Sequence, residues 1–267
     1  MWLFLLLQGI NLIFEFYTKM QKDKLVIIPT YNEIENIQDI ILNVLALEGQ
    51  FELLIIDDNS PDGTADVAKK YQKQFPDRVH IIERKGKLGL GTAYIKGFKY
   101  ALKNGYNYIF EMDADFSHNP QDLVKLYRAC AIDGYDLAIG SRYITGVNVV
   151  NWPMGRVLMS FFASKYVQFV TGMPIKDATA GFKCYTKEVL KTINLDKIRF
   201  IGYAFQIEMK FTTWKLGFKI VEVPIIFTDR TKGTSKMSTH IFREAVLGVI
   251  NMKFKSFFRK YKPNQSE

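Results

Sequence analysis

Asp113 and Asp115 stand two residues apart, at the end of the apolar run 108–112. Carboxylates at that spacing point the same way from the end of an extended strand. Hard oxygen donors of this kind suit Mg²⁺ or Mn²⁺, with phosphates and waters completing the shell. The same wording also serves a solvated turn, and its place between a strand and a helix start at Pro120 favours the metal. A second acidic pair, Asp57-Asp58, closes the apolar run 53–56. One of these two is placed to accept hydrogen bonds from a nucleobase or ribose, while Asp62 caps the next helix. Glu33 forms with Thr30 the wording of a capping box, and a ligand role stays open to it. Gly86-Lys87-Leu88-Gly89-Leu90-Gly91-Thr92 matches neither common glycine-rich phosphate motif. It reads as a close backbone approach to a ligand or as a plain loop. Arg142, Arg230 and Lys236 stand in or near loops after strands, where guanidinium forks suit phosphate oxygens. His80, His118 and His240 lack metal-ligand spacing, and no Ser-His-Asp or Cys-His arrangement stands out.

The elements that must position these residues follow from apolar patterning. Short β-branched runs at 25–28, 53–56, 79–82, 108–112 and 136–139 read as buried strands. Helical spacing at 34–47, 64–75, 91–103 and from Pro120 onward separates them. Such alternation implies βαβ units and a mostly parallel sheet. Ligands on such sheets bind beyond the carboxyl ends of the strands. The polar clusters at 30–33, 57–62 and 113–118 all fall at that edge, whereas random polar loops would fall at both. The second half is less regular: a helix at 156–170, a small-residue turn and short strand at 177–185, a helix at 203–216, a strand at 220–227, a polar loop at 228–238 and a helix at 239–260. No internal repeat or low-complexity linker divides the halves.

The 267 residues are 48% hydrophobic and 24% charged, the composition of a globular α/β body. Cys130 and Cys184 fit neither a disulfide framework nor zinc spacing, and two isolated thiols suit a reducing compartment. The formal net charge is +9, and five basic residues with no acidic one fall between Asn251 and Lys262. Such a patch attracts polyanions: nucleic acid, phosphate-bearing substrates or anionic lipid. Phe242, Val246, Val249, Ile250, Phe254 and Phe257 accompany it, which suits a bilayer interface and argues against nucleic acid. The helix at 156–170 is also apolar and reads first as a core helix, second as interfacial. Residues 1–19 fall short of the ~20 apolar residues of a spanning helix. They read as an apolar extension or as a start-site artefact preceding Met20.

Five segments together carry a resemblance. Pro29-Thr30-Tyr31-Asn32-Glu33, Asp57-Asp58-Asn59-Ser60-Pro61-Asp62-Gly63-Thr64, Leu88-Gly89-Leu90-Gly91-Thr92-Ala93-Tyr94, Met112-Asp113-Ala114-Asp115-Phe116-Ser117-His118 and Gly140-Ser141-Arg142-Tyr143 follow one another in unbroken order. The chain resembles the dolichol-phosphate mannosyltransferases of the family 2 glycosyltransferases. The resemblance implies an α/β GT-A fold, Rossmann-like, at 20–238, with a basic amphipathic helix and tail at 239–267. It implies GDP-mannose as donor, a polyprenyl phosphate as acceptor and Mg²⁺ or Mn²⁺ as cofactor. Pro29, Tyr31, Glu33, Ile56, one of Asp57 or Asp58, and Ala114 would line the nucleotide-sugar site. Asp113 and Asp115 would hold the metal, with Ser117, where the family often has Gln, as the third position. Asp115, Arg142, Arg230 and Lys236 would serve the phosphates and the transfer. The loop 177–182 departs from the family's usual Thr-Gly-Ser-Phe wording. Some family members carry spanning helices after the catalytic domain; this chain is expected to dock peripherally at the cytoplasmic face, without nucleic acid or an obligate protein partner. A UDP-sugar enzyme with the same acceptor class, or a catalytically silent nucleotide-binding scaffold, are the competing readings.

Overall fold

The computed structural model describes residues 23–202, 204–230, 239–258 and 261, with the backbone alone for 239–245. Its main sheet runs in the order β3-β2-β1-β4-β7-β5-β8. The strands are β1 (Lys24–Thr30), β2 (Glu52–Asp57), β3 (Val79–Glu83), β4 (Tyr108–Glu111), β5 (Leu137–Ser141), β7 (Lys183–Thr186) and β8 (Ile220–Pro224). A separate ribbon pairs β6 (Val149–Val150) with β9 (Phe227–Thr228). The helices are α1 (Ile37–Leu45), α2 (Thr64–Gln74), α3 (Leu90–Asn104), α4 (Asp122–Ala131), α5 (Met154–Thr171), α6 (Lys187–Thr192), α7 (Ala204–Lys215) and α8 (Thr239–Phe258).

β1 is parallel to both β2 and β4. A strand covered on both faces needs apolar side chains at successive positions, and Leu25, Val26, Ile27 and Ile28 are all fully buried. Leu25 and Ile27 join the core beneath α3 and α7, while Val26 and Ile28 join the core beneath α1 and α4. α3 lies close on the sheet because Gly97 faces Ile27; a Cβ there would sit 2.7 Å from a side-chain carbon of Ile27.

Three expectations need correction, and one strand has a direction that its sequence left open. β7 is antiparallel to both β4 and β5, because the chain enters it from the carboxyl edge of the sheet. α1 is shorter than the run 34–47, and no capping box forms between Thr30 and Glu33. Thr30 is still in β1 and donates its hydroxyl to Asp57, 2.8 Å away. The Glu33 carbonyl instead accepts the N–H groups of Asn36 and Ile37 at the entry to α1. The strand expected over 220–227 leaves the sheet after Pro224, and Phe227–Thr228 pair with β6.

Candidate active site

The carboxyl ends of β1, β2, β4 and β5 present the anticipated polar loops on one edge, and the start of β7 joins them there. Glu111, the last residue of β4, lies opposite Lys183, the first of β7. The antiparallel strand thus delivers 177–183 to the ligand-binding edge.

Asp113 and Asp115 occupy a tight turn. Phe116 takes φ 59°, a left-handed conformation that is strained for a bulky side chain. The reversal lets the Ser117 N–H donate to Asp115 Oδ1 at 3.1 Å. The Asp113 N–H donates to Nδ1 of His118 at 3.2 Å. The His118 ring stacks on Phe182 at 4.8 Å and is almost wholly buried. Burial pushes its pKa down to about 4, so it is neutral and free to accept. His118 therefore braces the acidic turn, the structural role its sequence context suggested. Asp115 Oδ2 meets Arg230 at 3.0 Å, while the Asp113 carboxylate is 40% exposed. Close packing around it, with the charges of Asp115 and Glu111, pushes Asp113 up to about 7. Among the described residues no group of three or more His, Cys, Asp or Glu side chains could hold a metal ion.

The second acidic pair behaves differently from expectation. Asp57 is fully buried and accepts hydrogen bonds from Thr30 Oγ1, Ser60 N and Ser60 Oγ. It acts as a strut between β1 and β2. Both Asp58 oxygens are held by the Arg84 fork, at 2.5 and 2.6 Å. A nucleoside reaching Asp58 would have to share them. Arg84, which carried no signal in the sequence, also donates to Thr92 Oγ1 and the Gly89 carbonyl. The glycine-rich loop packs against 200–205: a Cβ on Gly91 would lie 2.7 Å from the Phe200 carbonyl and 2.8 Å from the Phe205 ring. Gly89 and Gly91 serve close packing, while Gly86 faces open space. Asp62 holds the entry to α2 through Thr64 N at 3.0 Å. The Ile56 side chain is in the core, and Lys87 sits over the Tyr31 ring at 5.2 Å.

A cavity of about 630 Å³ collects the remaining candidates. Pro29, Glu33, Asp113, Ala114, Asp115 and Ser117 line its acidic side. Arg142, Arg156 and Arg230 supply cations to the same space. Arg142 is buried and forms a fork on Asp177 (Nε to Oδ2 2.7 Å, Nη2 to Oδ1 2.6 Å), with a further bond to Thr179 Oγ1. Arg156, missed in the sequence, lies 4.1 Å over the Trp152 ring and donates to Asp229 at 2.7 Å. Lys236 lies outside the described residues.

The opposite wall is apolar. Met159, Phe162, Ala163 and Val167 of α5 line it together with Val246 and Val249 of α8. Tyr166 donates to the Val246 carbonyl and Lys253 to the Thr171 carbonyl, which fastens the two helices together. α5 is not the core helix that its composition favoured. Of its residues only Ser164, Val167 and Thr171 are buried, while Met154, Leu158, Phe162 and Phe169 are exposed. On α8, Leu247, Ile250, Phe254, Phe257 and Phe258 recur at helical spacing and are exposed too. Among the described residues no helix is long and apolar enough to cross a membrane.

Comparison with known proteins adds three findings. The model of the family "Glycosyl transferase family 2" matches residues 25–193. The chain is 47% identical over 225 residues to polyprenol monophosphomannose synthase of Mycolicibacterium smegmatis, covering 84% of each chain. It is 44% identical to undecaprenyl-phosphate mannosyltransferase of Micrococcus luteus, over 84% of this chain and 91% of that one. Among solved structures, glucosyl-3-phosphoglycerate synthase of Mycobacterium tuberculosis with Mn²⁺, UDP and product superposes with a TM-score of 0.63. That match is 17% identical and covers 88% of this chain and 79% of that one; it speaks to the fold, which is the GT-A arrangement. The same enzyme with Mg²⁺ and UDP gives a TM-score of 0.64 at 16% identity.

Proposed function

Because the chain belongs to glycosyl transferase family 2 and is a glycosyltransferase, we propose that it transfers mannose from GDP-mannose to a polyprenyl phosphate. The reading is carried by one cavity that joins an acidic pair, three guanidinium groups and an apolar wall. A sugar diphosphate, a phosphate and a prenyl chain need those three surfaces together. The names of two relatives, a polyprenol monophosphomannose synthase and an undecaprenyl-phosphate mannosyltransferase, support the acceptor class and the sugar.

Asp113 and Asp115 would hold a divalent cation, Mg²⁺ or Mn²⁺. Two hard carboxylates on one turn fit such an ion when phosphates and waters fill the remaining positions. Crowding of Asp113 by other carboxylates also fits, since a cation relieves it. Once bound, the ion would draw off charge developing on the leaving diphosphate. The acceptor needs little activation, because a phosphate monoester with a second pKa near ~6 is largely dianionic at neutral pH. Its oxygen bonds to the anomeric carbon while the bond to the diphosphate oxygen breaks, with inversion. No proton has to move, which agrees with a buried and neutral His118 beside the acidic turn. Arg230, now on Asp115, is near enough to exchange that carboxylate for a phosphate. Arg142 and Arg156 would meet the acceptor phosphate where the apolar wall begins.

The assay is direct: purified protein, GDP-mannose, a short polyprenyl phosphate and Mg²⁺ or Mn²⁺ should yield lipid-linked mannose. Absence of product under all these conditions would overturn the proposal. The UDP-sugar reading is favoured by the fold neighbours that hold UDP. GDP should raise the melting temperature in Mn²⁺ more than UDP does.

Two further expectations follow. The Asp113 proton must leave before a cation binds, so Mn²⁺ affinity should weaken as pH falls below about 7. Calorimetry across pH 6 to 8 (roughly, one unit either side of that value) in buffers of different ionisation enthalpy would detect the released proton. The exposed faces of α5 and α8 would lie in the interface of a membrane, peripherally and at its cytoplasmic face, with Lys255 beside anionic headgroups. Replacing both Phe162 and Phe257 by Glu should weaken binding to anionic vesicles at least about tenfold, given the apolar area lost. Binding of GDP should be unchanged; unchanged vesicle sedimentation would refute the docking face.

A further inference from the structure

Gln206, in the first turn of α7, is 2% exposed and lines the cavity, yet neither the metal pair nor the guanidinium groups account for it. Its Oε1 accepts a hydrogen bond from Lys183 Nζ. Lys183 Nζ in turn lies 2.9 Å from Glu111 Oε2, and both of those side chains are fully buried. An ammonium has donors and no acceptor, so it can meet only the carbonyl oxygen of an amide. The orientation of Gln206 is thereby decided, and its Nε2 faces away from Lys183. Among the described residues no acceptor meets that Nε2.

The geometry around Gly181 gives its direction. A methyl group placed on Gly181 would lie 3.7 Å from Gln206 Nε2, 3.8 Å from His118 Cε1 and 3.9 Å from Asp113 Oδ2. One small space, open because residue 181 has no Cβ, is bounded by an N–H donor on one side and the Asp113 carboxylate on another. A donor that opens into the cavity without a protein partner is placed to meet a substrate acceptor. A site built this way also rejects analogues that lack the matching group.

Resting on the proposed transferase activity, we propose that Gln206 Nε2 donates a hydrogen bond to a hydroxyl of the sugar being transferred, and that Gly181 keeps that hydroxyl's place clear. A hydroxyl suits this position better than a phosphate oxygen. The donor is neutral, and the phosphate-seeking cations Arg142, Arg156 and Arg230 belong to other side chains of the cavity. Gln206 is thus a substrate-contacting residue, and Lys183 and Glu111 are the positioning residues behind it.

The test uses Gln206→Met, which keeps the length of the side chain and adds no charge, and Gly181→Ala. The second variant guards against misfolding, since its methyl meets only ordinary contact distances. Turnover is measured with GDP-mannose and with its monodeoxy analogues, and GDP binding is measured with Mn²⁺. Both variants should lose about tenfold in kcat/KM with GDP-mannose, the worth of one such hydrogen bond, while GDP affinity stays within about twofold. For one deoxy donor the gap between Gln206→Met and the wild type should vanish. The inference is overturned by unchanged turnover in Gln206→Met, by an equal loss with every deoxy donor, by a loss of GDP affinity matching the loss of turnover, or by a loss confined to the acceptor KM. A wild-type protein inert toward GDP-mannose would instead fail the donor assignment, and the deoxy series would then be run on whichever sugar is turned over.

Discussion

Asp115→Asn is expected to lower turnover about a thousandfold while leaving the fold in place. The amide keeps an oxygen for the Ser117 N–H, so the turn at Phe116 survives. What disappears is the negative charge, and with it the partner of Arg230 and one of the two carboxylates proposed to hold the cation. The Arg230 pair is partly exposed, and pairs of that kind contribute within about 1 kcal/mol to stability. Thermal unfolding should therefore move little while lipid-linked mannose formation collapses. Added Mn²⁺ should restore only part of the rate, because the remaining carboxylate of Asp113 still offers one ligand. Near-normal turnover in this variant would refute the assignment of the acidic turn to the metal.

Asp177→Asn should produce the largest loss of stability, about 3–5 kcal/mol, the range for leaving a buried charge without its partner. Asp177 and Arg142 are both buried, and the guanidinium makes a two-pronged contact with the carboxylate. Lys210, fully buried, lies behind them and donates to the Ala180 and Asp177 carbonyls. An amide at 177 would turn an N–H group toward one prong of the Arg142 fork and leave that guanidinium buried without a counter-charge. Urea unfolding would read the change, as a midpoint shift at constant slope. The pH dependence follows in sign. Burial alone would raise the Asp177 pKa, but the Arg142 guanidinium outweighs it and holds the carboxyl below the ordinary range. A carboxylate depressed in the folded state stabilises above its unfolded pKa of ~3.9 and loses that contribution as pH falls through the folded value. The wild-type protein should therefore lose stability below about pH 4 in a step that the variant lacks. A variant with wild-type urea and acid stability would show that the pair contributes nothing net.

Much of this protein was legible along the chain. The apolar runs at 25–28 and 53–56 mark strands covered on both faces, and the turn wording after each puts polar residues at the carboxyl edge. Those are local properties, set by side-chain periodicity over a few residues, and they recovered β1 to β5 and the position of the acidic turn at 113–115. Partnership was not local. Asp57 and Asp58 read alike, yet pleating turns the first inward onto Thr30 and Ser60 and the second toward Arg84. The four-residue β7 carries no mark of direction, and only its register against β4 brings Lys183 to Glu111 and Gln206. Whether α5 belonged to the core depended on what packed against it, and Met154, Leu158, Phe162 and Phe169 on it stay exposed. Side-chain type and spacing determined which elements and which chemistry were possible. Contacts between residues distant along the chain decided which carboxylates were free, because they depend on strand order and helix packing that no short window of residues contains.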